Sequence, residues 1–173
     1  MALGKLVQVD KETIDPASPV SQVTLTGFDT DNAYFVTWRN VQTTTDNVSF
    51  RARVTIGGSA DSTTKYNRAY KVLKAYTTNA NDLANGQGEW FISQLGTPAN
   101  EQGNGWGYLY NFNSTSERAF GLISCSDWNS ISSLAGNYGG IEYTGTGSAR
   151  DGFQLYVSSG NMDNGEFVLY KVV

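Results

Sequence analysis

Val48-Ser49-Phe50-Arg51-Ala52-Arg53-Val54-Thr55-Ile56 alternates without a slip, with Val48, Phe50, Ala52, Val54 and Ile56 on one side and Ser49, Arg51, Arg53 and Thr55 on the other. A period of two belongs to a strand with one buried face, because successive side chains leave a pleated backbone in opposite directions. The spacing predicts a strand placed centrally in a sheet, its two arginines on a solvated face. Upstream, Val23 and Leu25 oppose Thr24 and Thr26, and Tyr34, Val36 and Trp38 line one face of a further strand. Downstream, Gly57, Gly58, Ser59 and Asp61 make a turn into Tyr66 to Tyr76. There Tyr66, Tyr70 and Leu73 also fit a helical stripe, but the surroundings favour a strand.

The runs Glu89 to Leu95, Trp106 to Phe112, Arg118 to Cys125, Tyr138 to Tyr143, Phe153 to Val157 and Phe167 to Val172 are each bounded by Gly, Asn, Ser or Pro. They complete a set of about ten short strands. Asn79 to Asn85 and Thr97 to Gly105 read as the longest loops, and no helical pattern separates the strands. The expected fold is therefore all-β, an antiparallel two-sheet β-sandwich of jelly-roll type. Residues 1–19 read as an N-terminal arm or edge strand with a linker punctuated by Pro16 and Pro19, and residues 20–173 as a single sandwich domain.

Composition points the same way. Nineteen glycines stand against three prolines, and only 16% of the 173 residues are charged, so Thr, Ser, Asn and Gly must cover much of the surface. The net charge of −4 and a pI near 4.7 argue against a nucleic-acid partner, since phosphate contacts need clustered Lys and Arg. The chain contains no histidine, which removes the commonest general base, the commonest metal ligand and every Ser-His or Cys-His pair. Its single cysteine, Cys125, is expected to act as a small buried hydrophobe. Neither a signal-peptide core nor a membrane-spanning run is evident, so synthesis in a host cytoplasm without membrane insertion is expected.

Candidate sites are few. Asp29, Asp31 and Asn32 could offer oxygen ligands to a hard cation, but Asp and Asn are also ordinary turn residues, and no metal or other cofactor is expected. Glu89, Glu101, Glu117, Glu142 and Asp151 could supply a hydrolytic carboxylate pair, yet solvated positions account for them better. The Gly-rich stretches 103–107 and 139–147 lack the Gly-Lys-Ser/Thr of a phosphate loop. Trp106, Tyr108, Tyr110 and Phe112 share one strand face, an arrangement expected of half a sandwich core and also possible as a stacking platform. Trp90, Trp106 and Trp128 are the candidate glycan contacts.

The C-terminal segment Asp151-Gly-Phe-Gln-Leu-Tyr-Val-Ser-Ser-Gly-Asn-Met-Asp-Asn-Gly-Glu-Phe-Val-Leu-Tyr-Lys-Val172 resembles the closing hairpin of small virion proteins of tailed bacteriophages, especially marine ones. Gly27 to Val41 and Phe50 to Tyr70 resemble the same group. On the residues, the hairpin would bury Phe153, Leu155 and Val157 beside Phe167 and Leu169, with Asp163-Asn164-Gly165 in a tight turn. The resemblance implies a non-enzymatic structural part of a virion: a capsid decoration or knob protein on the head surface, or the glycan-binding, receptor-recognising tip of a tail or head fibre. The implied partners are the major capsid protein or other virion proteins, a host surface glycan, and further copies of the chain. Leu3, Leu6, Val7 and Val9 are the candidate capsid-docking residues, since an apolar arm can add a strand to a neighbour. Equally, they could form the first strand of the sandwich.

Overall fold

The computed structural model describes residues 4–30, 32–97, 101–129 and 133–173. Their strands are β1 (Leu6–Ile14), β2 (Gln22–Thr26), β3 (Tyr34–Thr43), β4 (Val48–Ile56), β5 (Ser59–Ala60), β6 (Tyr66–Lys74), β7 (Ala80–Gln87), β8 (Trp90–Leu95), β9 (Gly103–Tyr110), β10 (Ala119–Asn129), β11 (Ser133–Tyr143), β12 (Gly152–Val157) and β13 (Met162–Val172). No helix occurs among the described residues. An eight-stranded sheet in the order β1-β13-β3-β9-β10-β11-β6-β7 packs on a five-stranded sheet in which β2, β12 and β4 are neighbours and β4 also pairs with β5 and β8. All pairs are antiparallel. The protein is an all-β two-sheet sandwich.

The core lies between the sheets. Val48, Phe50, Ala52 and Val54 of β4 pack inward with Phe153, Leu155 and Val157 of β12, as their alternation dictates. Tyr34, Val36 and Trp38 of β3 oppose them with Phe167 and Leu169 of β13. On the outer side of β4, Arg51 and Arg53 share the carboxylate of Glu89, each at 2.9 Å, and Arg53 also lies 4.8 Å over the Tyr156 ring. At the end of the sandwich where β9 runs into β10, Arg150 is fully buried. Its guanidinium donates to the carbonyls of Asn111, Glu117 (3.1 Å), Ser148 (3.3 Å) and Gly145 (3.4 Å), tying two loops together.

Three expectations need correction. The last two strands are not a hairpin: β12 joins the small sheet, β13 joins the large one, and the Ser158–Asn161 turn, with Gly160 at φ 67°, carries the chain across the sandwich. Asp163-Asn164-Gly165 lies inside β13, where the register with β3 shifts twice, so these residues accommodate bulges instead of a turn. Residues 79–85 are largely strand, because β7 forms the far edge of the large sheet and Asp82 anchors it to Arg68 at 2.8 Å. A polar edge strand shows no hydrophobic alternation, which is why it reads as loop.

Residues 6–19 are β1 and its exit turn. β1 pairs with β13 along one side and forms the near edge of the large sheet, with no ladder on its other side among the described residues.

Candidate functional site

The side chains that a partner could meet lie mainly on the outer face of the large sheet. Registers place Tyr170, Phe35, Tyr108 and Leu122 in one row across β13, β3, β9 and β10. Trp106 and Tyr110 flank Tyr108 on the same side of β9, Phe120 lies opposite Tyr110, and Tyr138 lies across Ser124. The rings touch: Phe35 and Tyr108 are 4.9 Å apart, Phe35 and Trp106 6.0 Å, Tyr108 and Tyr110 6.4 Å. Trp106, Tyr110, Phe120 and Tyr138 remain 36 to 48% exposed. An exposed group of aromatics this dense is a usual mark of an interaction surface.

The core reading of the β9 aromatics is thus overturned, and the cause lies on the opposite side of the strand. Gly103, Gly105, Gly107 and Leu109 point inward, and the glycines are demanded by close neighbours. A Cβ on Gly105 would stand 2.4 Å from the Trp38 ring, and one on Gly107 2.4 Å from Ile123 Cδ1. The large residues must therefore go outside; only Phe112, past the end of β9, is in the core. The sequence signal was available in the Gly-x-Gly-x-Gly alternation of residues 103–107.

The three candidate tryptophans separate. Trp90 is 1% exposed, and its indole N–H is shared between the carbonyls of Asn67 and Glu142, both at 3.1 Å, so it links the small sheet to the large one and cannot touch a glycan. Trp106 is exposed on the outer face; Trp128, on β10 opposite Leu134, is half-buried, with its indole nitrogen buried and without a hydrogen-bond partner among the described residues. Of the docking candidates, Leu3 lies outside the described residues. Leu6 and Val7 are exposed but point to opposite faces of β1, and Val9, at the bulge between Gln8 and Asp10, covers Gly27, where an added Cβ would meet Val9 Cγ1 at 2.5 Å.

Two of the shallow depressions on the outer face lie beside exposed aromatic rings. One, of about 390 Å³, is bounded by Phe35, Thr37, Arg39, Asn104, Trp106 and Ser124. The other, of about 360 Å³, lies between Phe120, Asn67, Asn85 and Glu142, above Gly140 and Ala69. Of the candidate carboxylates, Glu89 serves the two arginines, Glu142 accepts from Asn67 and Arg118, Asp151 accepts from Thr55 and from the Gly58 amide, and Glu101 is buried against Asp46, its burial and that neighbouring carboxyl holding it above the usual carboxylate range. Asp29 accepts from Lys171 and Tyr34, Asp31 lies outside the described residues, and no group of three potential metal-ligating side chains occurs among those described. Burial pushes the Cys125 thiol up to about 12, and it donates to the Ile92 carbonyl at 3.3 Å, so it is packed and unreactive.

Asp127 is the carboxyl that burial raises most among the described residues. It points inward from β10 beside Asn137, and burial pushes it up to about 6. A carboxyl whose folded value lies above its unfolded one favours the protonated form, so stability is highest at low pH and falls as pH rises from about 4 through about 6. Asp127→Asn should therefore stabilise the protein at pH 8 by on the order of 2–3 kcal/mol and leave it unchanged at pH 4. Denaturant unfolding of both proteins at the two pH values checks this; equal gaps at both would refute the burial effect.

Comparison of the chain with protein families, with curated proteins and with solved structures gives no match. No described helix is long and apolar enough to cross a membrane.

Proposed function

We propose that this is a non-enzymatic structural protein of a virion surface, a capsid decoration or knob protein that attaches to the phage head through the open edge of β1. The observation that carries the reading is the chemistry of that edge. Lys5 and Val173 exchange both backbone hydrogen bonds, at 2.7 and 3.0 Å, so the antiparallel pattern turns the N–H and C=O of Leu6 and Gln8 away from β13. Leu6, Val7 and Val9 are exposed along this half of the strand, where an edge without a partner would ordinarily carry charge or proline. The second half does carry charge, in Asp10, Lys11 and Glu12. An added strand from a capsid subunit would satisfy the free backbone groups and cover the apolar side chains. The sequence resemblance of Gly27 to Val41 and Phe50 to Tyr70 to small virion proteins supports the same assignment.

Gln8→Pro removes an outward-facing donor without touching the ladder to β13, and Leu6→Lys places a charge at the edge. Both variants should melt within a few degrees of the unmodified protein and co-sediment at least about tenfold more weakly with empty heads assembled from the major capsid protein of the same phage. Leu83→Lys, on the opposite sheet edge, should bind normally. Folded edge variants that bind heads as well as the unmodified protein would overturn the proposal.

A further inference from the structure

We infer that the depression beside Trp106 on the outer face of the large sheet is a binding site for a neutral glycan. It is independent of the docking edge, since β13 and β3 separate β1 from β9. Two neighbouring rows of side chains build it. Thr37, Trp106 and Ser124 lie abreast on β3, β9 and β10, and Asn104 and Ser126 lie abreast in the next row, with Arg39 alongside. Strands about 4.8 Å apart and same-face residues about 7 Å apart set these groups on a fixed grid. Short side chains make the floor; Trp106 and Phe35 rise beside it, 6.0 Å apart.

This combination suits a sugar. A pyranose has an apolar face of C–H bonds that packs on the electron-rich face of an aromatic ring, and a rim of hydroxyls that need donors and acceptors in the plane of the ring. Thr37, Ser124 and Ser126 offer hydroxyls of both kinds. The Asn104 amide is oriented, because its Oδ1 accepts the Asn40 N–H at 2.9 Å and leaves its Nδ2 as the group to be offered. Arg39 adds planar donors at the rim, where Glu166 accepts from its Nε at 2.7 Å and from Lys11 at 2.5 Å, and these two cations hold the Glu166 carboxyl down at about 2. Two cations on one carboxylate leave a single net positive charge, so the lining of the depression is made mainly of neutral hydroxyl, amide and aromatic groups. A protein partner that excluded water here would have to desolvate three hydroxyls and an amide, which is costly unless each finds a match. The fixed strands and short side chains also leave little freedom to lose on binding.

Tryptophan fluorescence titration of the full chain with cellohexaose, chitohexaose, xylohexaose, mannohexaose and maltohexaose tests the inference. At least one should give a saturable change below roughly 10 mM, the range that reveals a Kd near 1 mM. Trp106→Ala should weaken that binding by about tenfold or more, as loss of a stacking platform does. Thr37→Val and Ser124→Ala should weaken it severalfold, and Trp106→Phe should retain most of it. Calorimetry with the same sugar reads the variants that lack the reporting indole. Absence of saturation with all five sugars, or binding indifferent to Trp106→Ala, overturns the glycan site. Head co-sedimentation of Trp106→Ala should be normal, so failure here is distinct from failure of the docking edge; loss of head binding with no sugar binding would assign this face to a protein partner instead.

Discussion

A chain ending at Ser159 should show no cooperative thermal transition. The deletion removes β13, the second strand of the large sheet, which among the described residues is the only ladder partner of β1 and separates it from β3. Met162, Phe167, Val168 and Leu169 leave the interior with it. At about 1.5–3 kcal/mol for each buried side chain, roughly 6–12 kcal/mol of apolar burial disappears, against a total stability on the order of 5–15 kcal/mol for a domain. Trp38, Val36 and Phe50 would then face water on one side. Because β13 belongs to a different sheet from β12, the loss reaches both layers, which a terminal hairpin on one sheet would not do. Far-UV circular dichroism during heating reads the result; a sigmoidal transition in the truncated chain would contradict the account of the core.

The second large effect is at Trp90. Trp90→Ala should cost about 4 kcal/mol, combining the cavity left by the largest class of side chain with two carbonyls deprived of their donor, and should lower Tm by roughly 10 °C for a domain of this size. The ring is packed edge-on to Tyr66 at 4.9 Å and lies 6.1 Å from Phe153, so neighbours from both sheets border the void. Trp90→Phe keeps most of the packing and should lose only about 1–2 kcal/mol, the share of the N–H. Trp106→Ala, on the surface, should change stability by no more than about 0.5 kcal/mol. Differential scanning calorimetry of the three variants checks the ranking. If Trp90→Ala and Trp106→Ala melted alike, the inside and outside assignments would be wrong.

These contrasts mark where the sequence is readable. The two-sheet sandwich and the inward faces of β3 and β4 follow from plain alternation, because one side of each strand is apolar and the other polar. β9 defeats the same rule, since its buried side is glycine, required by Trp38 and Ile123, and its apolar side is outside. Trp90 stands next to Gly88 and Glu89, and a loop neighbourhood says nothing about which way a side chain turns. Its partner Ile92, two residues on and also buried, was the available sign. The final pair of strands reads as a hairpin because a tight turn within one sheet and a crossing between sheets use the same Ser-Ser-Gly-Asn chemistry. The free edge of β1 is legible as an apolar stretch, but which of its amides face outward depends on the register with β13.

The central proposal is attachment to a phage head through the β1 edge, and immunogold labelling of phage particles purified from a lysate that contains this chain tests it most directly. Gold distributed over the head surface is the result expected. Gold confined to tails or fibres, or absent from particles while present in the soluble lysate, would contradict it.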